Sequence, residues 1–451
     1  MKRFDAIVIG AGQSGPPLAA RLAGAGMKVA LVERRRLGGT CVNDGCIPTK
    51  TLVASARAAW VAKEAERYGV VIQGAVGVDM KKVKARKDQV VKESLDGLEE
   101  WMTGTKGLTM IHGQARFESP NSIRVGDDLY EADKFYLDVG GRAVVPDEFK
   151  DVPYLTNSSM MDIDFVPEHL VIVGGSYVGL EFAQMYRRFG SRVTVIEHGP
   201  RLVSHEDDDV ADGVRSILEN EGIEVQTSTK VVDAKESGGR ITLKTTGPTI
   251  EGSHVLLAVG RKPNTGDLGL DRAGVTTNQR GIIEVDDRLT TSAPHIWALG
   301  DVNGRGAFTH TSYNDYEIVA ANLLDNDPRR VTDRITIYAL FIDPPLGRVG
   351  MSERQAKAAG HKVLVGKRPM TRVGRARERG ETQGFIKILV DADTKLILGA
   401  AILGIEGDEV IHVIADVMYA KAPYTVISRA VHLHPTVSEL LPTTLQTLEP
   451  A

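Results

Sequence analysis

Ala6-Ile7-Val8-Ile9-Gly10-Ala11-Gly12-Gln13-Ser14-Gly15 runs from a short apolar stretch straight into a glycine-rich turn. Its reading decides the fold. Consecutive apolar residues without alternation fit a strand buried on both faces. The Ala/Leu-rich stretch to about Ala25 reads as a helix, and Lys28-Val29-Ala30-Leu31-Val32 as a second strand ending at Glu33. In that context each glycine has a physical task. Gly10 permits the tight turn, Gly12 lets the backbone approach a pyrophosphate, and Gly15 opens the helix whose N-terminus faces that charge. Glu33, at the end of the second strand, is placed to bind a ribose hydroxyl pair. Glycines at this spacing are a weak signal alone; strand, helix, strand and acid together make it a dinucleotide-binding unit.

The unit occurs twice. Leu170-Val171-Ile172-Val173 leads into Gly174-Gly175-Ser176-Tyr177-Val178-Gly179, a helix is expected from about Leu180 to Phe189, and Arg192-Val193-Thr194-Val195-Ile196 ends at Glu197. The separation from Gly179 to Glu197 equals that from Gly15 to Glu33. Two dinucleotide sites are therefore expected. Ser176 stands where the middle glycine would be and narrows the space for a pyrophosphate. Glu197 favours a free 2'-hydroxyl, so NADH is preferred over NADPH, although His198 and Arg201 lie just beyond and are able to hold a phosphate. The cluster Glu206-Asp207-Asp208-Asp209 reads as a solvated helix start rather than a metal site. No resident metal is expected.

The only two cysteines of the 451 residues, Cys41 and Cys46, sit in Gly38-Gly39-Thr40-Cys41-Val42-Asn43-Asp44-Gly45-Cys46-Ile47-Pro48-Thr49-Lys50. Thiols kept this sparingly and this close together read as a working pair, with two buried structural cysteines as the alternative. A thiol needs a lowered pKa to act, which a helix N-terminus or a nearby cation supplies. If a helix begins near Gly45, Lys50 lies one turn beyond Cys46.

Elsewhere the sequence is less decisive. A net charge of -4 and 5% aromatic residues leave no footprint for nucleic acid. No apolar run reaches the ~18 residues that span a bilayer, and the start does not read as a signal peptide. Sparse cysteines fit a reducing, cytoplasmic setting. Thr51 to about Trp101 reads as two helices, and Gln114 to about Val145 as strands. Phe135-Tyr136-Leu137-Asp138-Val139 enters Gly140-Gly141, either a tight turn or a close approach to a ligand. Val255 to Val259, followed by Gly260, returns the chain towards the first domain. Ile296-Trp297-Ala298-Leu299-Gly300-Asp301 repeats the form of strand, glycine and acid. Asp301 is suited to a polyol hydroxyl, or simply to capping a turn. From about Ile335 strands and helices alternate, and His434 with Glu439 reads either as an imidazole-carboxylate pair or as a structural histidine.

Three segments together resemble the flavin-dependent pyridine nucleotide-disulfide oxidoreductases: GGTCVNDGCIPTK, their redox-active dithiol; WALGD, their flavin contact; and HLHPTVSE, their catalytic C-terminal segment. Within that family the chain is similar to the mercuric-reductase-like and reactive-chlorine-resistance branch, with Asp343-Pro344-Pro345-Leu346-Gly347-Arg348-Val349-Gly350 as one likeness, and to dihydrolipoamide dehydrogenase in its ending. The resemblance implies two Rossmann-like α/β domains and a C-terminal α+β dimerisation domain. The implied division is FAD domain 1–145, NAD(P) domain 146–263, FAD return segment 264–334 and dimerisation domain 335–451.

It also implies a homodimer with shared active sites. Cys46 would lie against the flavin as the charge-transfer thiolate, and Cys41 would meet the acceptor. Lys50 would pair with Glu181 near the flavin, and Tyr177 would gate the nicotinamide. Gly39, Thr40, Glu33 and Asp301 would contact FAD, and Gly174, Ser176, Gly179, Glu197 and Gly260 would serve the nucleotide sites. His434, oriented by Glu439, would be the acid-base residue. The implied activity is transfer of electrons from NAD(P)H through FAD and a Cys41–Cys46 disulfide to a small-molecule or protein disulfide, or to a soft metal ion. Dihydrolipoamide dehydrogenase is the alternative, and an FAD-binding redox sensor without significant turnover a second. Mercuric reductases carry a further cysteine pair near the C-terminus, and residues 440–451 contain none, which disfavours mercury detoxification.

Overall fold

The structure, a computed structural model, describes residues 2–451 and contains three sheet systems. In the first, Leu108–His112, Val29–Glu33, Lys2–Ile9, Asp128–Leu137 and Ile296–Ala298 lie side by side and parallel. The apolar run behaves as its composition demands. Ile7 and Ile9 point into one core with Phe117 and Phe135, while Ala6 and Val8 point into another with Leu18 and Leu22 of the helix Gly15–Gly24. Leu18 and Leu22 are fully buried; each such burial contributes about 1.5–3 kcal/mol. An antiparallel ribbon, Ala115–Ser119 with Ser122–Val125, hangs from the first half of Asp128–Leu137. The glycine turn leaves Lys2–Ile9 where the strand order reverses, the crevice in which open α/β sheets bind ligands.

The second system repeats this plan. Glu224–Gln226, Arg192–Ile196, His169–Val173 and His254–Leu257 form a parallel sheet, beside an antiparallel sheet of Val231–Ser237, Arg240–Thr245 and Ile250–Gly252. The chain enters and leaves through one two-stranded ribbon, Gly141–Ala143 against Arg261–Pro263. It then returns to the first sheet at Ile296–Ala298. The third system is a six-stranded antiparallel sheet built from residues after Ile335, with the helix Gly407–Tyr419 packed on it.

One expectation holds only in part. The acidic cluster does open the helix Asp208–Asn220, with Asp208 exposed, but Glu206 and Asp207 are buried rather than solvated. Glu206 and Asp207 are 4% and 9% exposed. Glu206 accepts a hydrogen bond from the Tyr338 hydroxyl and lies 3.3 Å from Arg348 Nε. Asp207 accepts from the backbone of Glu353 and Arg354, and Asp209 pairs with Lys367 and Lys387. The cations come from the third sheet, far along the chain, so local charge density could not reveal them.

Candidate active site

The first turn is a cradle that only glycine fits. A Cβ on Gly10, whose φ is +100°, would lie 2.2 Å from the Asp138 carbonyl oxygen, and one on Gly15 would lie 2.2 Å from the Gly10 oxygen. On Gly12 it would sit 2.8 Å from Asp138 Oδ2, and on Gly39 2.8 Å from Gly12 Cα. Glu33 is pinned at the rim, where Oε2 accepts from Ala11 N–H at 2.8 Å and Oε1 from Arg35 N–H at 2.6 Å.

The second turn has the same construction. A Cβ on Gly174 would meet the Ala258 oxygen at 2.3 Å, and one on Gly179 the Gly174 oxygen at 2.2 Å. Glu197 accepts from Gly175 N–H at 2.7 Å and from Gly199 N–H at 2.6 Å. The superposable contacts put Ala258 where the first turn has Asp138. That explains Ser176: the carboxylate that crowds Gly12 is absent here, so a side chain is tolerated. Arg201 is paired with Asp208 at 2.6 Å, and His198 Nδ1 lies 3.0 Å from Glu197 Oε1. Gly260 (φ +118°) stands beside the crossover ribbon, its carbonyl accepting from Val144 N–H, one residue past the Ala258–Val259 peptide that closes the second turn.

A cavity of about 930 Å³ runs from Glu33 past Gly10, Gly12 and Thr40 to Cys41, Cys46 and Tyr177. Cys41 lies in the short helix Gly39–Asn43, and Cys46 is the first residue of the helix Cys46–Lys63, as the glycine before it suggested. Both are free thiols. Cys46 Sγ is 3.1 Å from the Thr309 hydroxyl. Its thiol is lowered to about 6, first by the hydrogen bond from Cys41, then by Thr309 and the charge of Lys50, against the opposing effect of burial. Cys41 is pushed up by the same bond and by burial. Near neutral pH the pair is thus one thiolate and one thiol.

Lys50 and Glu181 meet as expected, Nζ to Oε2 at 2.7 Å. The other Glu181 oxygen accepts from Phe341 N–H at 3.0 Å, and the Phe341 ring lies 4.5 Å from Lys50 Nζ. The Tyr177 ring packs on Phe308 at 5.4 Å, and Phe308 stacks on Tyr338. Burial raises Asp301, whose Oδ2 is 3.6 Å from Arg261 Nε. Buried Asp315 fixes its turn by accepting from Gly300 N–H and Asn303 Nδ2, each at 2.8 Å.

His434 Nδ1 and Glu439 Oε2 are 2.7 Å apart, so the pair is assembled. The imidazole is 80% exposed, and no residue of its segment lines the cysteine cavity within this chain. Val431 and Leu433 beside it are among the most exposed apolar side chains described. Four residues of the site escaped the sequence reading. Asp138 left a trace, an acid closing a wholly apolar strand before two glycines. Thr309 and Arg261 left none because their contacts are made across long stretches of chain, and Asp315 left none because its partners Gly300, Asn303 and Arg334 are set by the fold of the return segment.

The family model described as pyridine nucleotide-disulphide oxidoreductase matches residues 4–315, and its dimerisation domain matches residues 336–445. The chain belongs to the pyridine nucleotide-disulphide oxidoreductases, a FAD-dependent family that uses NAD(P)H. It is 34% identical to the probable pyridine nucleotide-disulfide oxidoreductase RclA of Escherichia coli K12, over 98% of both chains. It is 36% identical to the dihydrolipoyl dehydrogenase of Thermus scotoductus, over 97% of this chain and 96% of that one. The solved HOCl-induced flavoprotein disulfide reductase RclA from Escherichia coli superposes with a TM-score of 0.90 at 34% identity, covering 98% of this chain and 99% of that chain. Its Cu(II) complex superposes at 0.91, covering 99% of each. The residues fit a bound FAD: a glycine cradle for the diphosphate in a long cavity that also reaches the cysteine pair.

Proposed function

We propose that this chain is an NAD(P)H-dependent reductase that delivers electrons through a Cys41–Cys46 disulfide to a disulfide or soft-metal-ion acceptor. The observation that carries the reading is the divided cysteine pair, a Cys46 thiolate at a helix N-terminus beside Lys50. It borders the same cavity as both the first glycine cradle and Tyr177. When bound, FAD supplies the two-electron connection between the nicotinamide and the cysteine pair. Gly10, Gly12 and Gly15 receive its diphosphate, Glu33 its adenosine ribose, and Asp301 its polyol chain, with Gly39 and Thr40 alongside. Lys50, held by Glu181, keeps a positive charge beside Cys46, and Tyr177 covers the nicotinamide position until NAD(P)H enters.

Two electrons and one proton convert the disulfide to a Cys41 thiol and a Cys46 thiolate. His434 of a second copy takes the proton from Cys41, whose thiolate attacks a substrate disulfide; a mixed disulfide forms, and the first substrate thiolate leaves with that same proton returned by His434. Cys46 then attacks Cys41 sulfur, restoring the internal disulfide and releasing the second thiolate. With Cu(II), two ions each take one electron while the pair closes to the disulfide and Cys41 releases its one proton.

Glu197, fixed by two backbone N–H groups, and Arg201, already paired, support NADH over NADPH. The exposed His434–Glu439 pair supports a homodimer in which each copy completes the other's site. The crossover ribbon supports division at 145/146 and 263/264, and the last sheet supports a boundary near 334/335. The cysteine content supports a cytoplasmic location. A second reading, dihydrolipoyl dehydrogenase, is favoured by the assembled His434–Glu439 pair. Anaerobic reduction with NADH followed by lipoamide or Cu(II), offered separately, separates the readings. Fast reoxidation by lipoamide alone favours the dehydrogenase. Reoxidation by Cu(II), lost in Cys41→Ala, favours metal reduction. Failure with both points to another disulfide as acceptor, or to a redox sensor.

A further inference from the structure

Asp138 is 6% exposed, and its Oδ2 accepts a hydrogen bond from Gly15 N–H at 2.7 Å, at the start of the helix that faces the diphosphate. Its Oδ1 would lie 3.3 Å from a Cβ on Gly300. The charged groups with the strongest influence on it are acids, Glu33 from the strand beyond Lys2–Ile9 and Asp301 from the turn beyond Ile296–Ala298; Asp315, on the helix Thr309–Leu324, is committed to Arg334. The remaining polar neighbours are hydroxyls: Ser14 contacts it and bonds Ser312. The strongest electrostatic influences on it are these two acids, and the cation Arg261 lies 3.6 Å from Asp301. The second turn forms the same way with Ala258 at this place, so the acid is not required to fold the turn. A buried carboxylate beside a diphosphate at one helix end would set like charges together in a poorly solvating site.

We infer that Asp138 is a FAD-binding residue that meets the cofactor as a neutral, hydrogen-bonding acid, so that FAD is taken up together with one proton. This rests on the assignment of the first glycine turn to FAD. Burial, and then the two neighbouring acids, push Asp138 up to about 7 against the bonds from Ser14 and Gly15. The charge of the diphosphate pushes it further in the same direction. The uncomplexed protein therefore loses the proton at a lower pH than the complex, and affinity falls between those two values.

The test is equilibrium dilution of the holoprotein between pH 6.5 and 9, reading the fluorescence of released FAD. The expected dissociation constant rises by up to about tenfold per pH unit above pH 7. Asp138→Asn, which keeps the shape and the acceptor for Gly15, should give a flat profile and hold FAD more tightly than the wild type at pH 9. Asp138→Ala, which copies Ala258, should be equally flat and serves if the asparagine variant misfolds. A flat wild-type profile, or the same slope in wild type and variants, overturns the inference while leaving FAD binding intact. A protein that binds no FAD at any pH overturns both.

Discussion

Replacing Thr309 with valine keeps a branched side chain of the same shape but removes the hydroxyl 3.1 Å from Cys46 Sγ. A hydrogen bond to a charged group contributes about 1.5–3 kcal/mol. Cys46 opens onto the cavity, so solvent screening places the loss at the lower end. One pKa unit corresponds to about 1.4 kcal/mol, which raises the Cys46 thiol by about one unit from its value of about 6. The bond from Cys41 and the charge of Lys50 remain, so the shift stops there. At pH 7 the thiolate fraction falls from about nine-tenths to about one-half. The assay is the rate of alkylation of Cys46 in the dithiol form by iodoacetamide, followed by mass spectrometry from pH 5 to 9. The midpoint should move upward in Thr309→Val. An unchanged or lowered midpoint would refute the claim that this hydroxyl stabilises the thiolate.

Glu181→Ala frees Lys50 from its buried partner and should slow reduction of the cysteine pair by NADH more than tenfold while FAD content is unchanged, read by stopped-flow absorbance. Glu197→Gln should weaken NADH binding and narrow its advantage over NADPH by about tenfold, the equivalent of about 1.4 kcal/mol, measured as a ratio of kcat/KM values. Arg188 is 4% exposed between Glu221 and Asp343 at 2.7 and 2.6 Å. Arg188→Ala leaves buried Glu221 without a cation, while Asp343 keeps Arg57, and should cost about 3 kcal/mol in urea unfolding. His434→Gln should lower turnover with a disulfide acceptor by 10²-fold or more, with the rate of reduction by NADH unaffected in the same preparation.

Much of this architecture was legible because its signals are local. Each apolar strand, glycine turn, helix and terminal acid lies within a few dozen consecutive residues, and both copies folded as read. The helix beginning at Cys46 and the reach of Lys50 followed from the same reasoning. Contacts made by the folded chain were hidden. Thr309 meets Cys46 only because the return segment brings it there, and the partners of Glu206 and Asp207 lie on a different sheet. Ser176 looked like a weakened turn until Ala258 was seen opposite it; the asymmetry lies in Asp138, whose stretch was open to two readings. His434 and Glu439 were recognisable as a pair, yet within one chain their segment does not line the cysteine cavity.

The most direct test of the central claim is a thiol count. Oxidised protein is reduced anaerobically with one equivalent of NADH per chain, and accessible thiols are quantified under denaturing conditions. The account predicts that two thiols appear per chain in the wild type and that NADH uncovers none in Cys41→Ser or Cys46→Ser. Bleaching of the flavin by NADH with no new thiols in the wild type would contradict it, because electrons would then leave without passing through the cysteine pair.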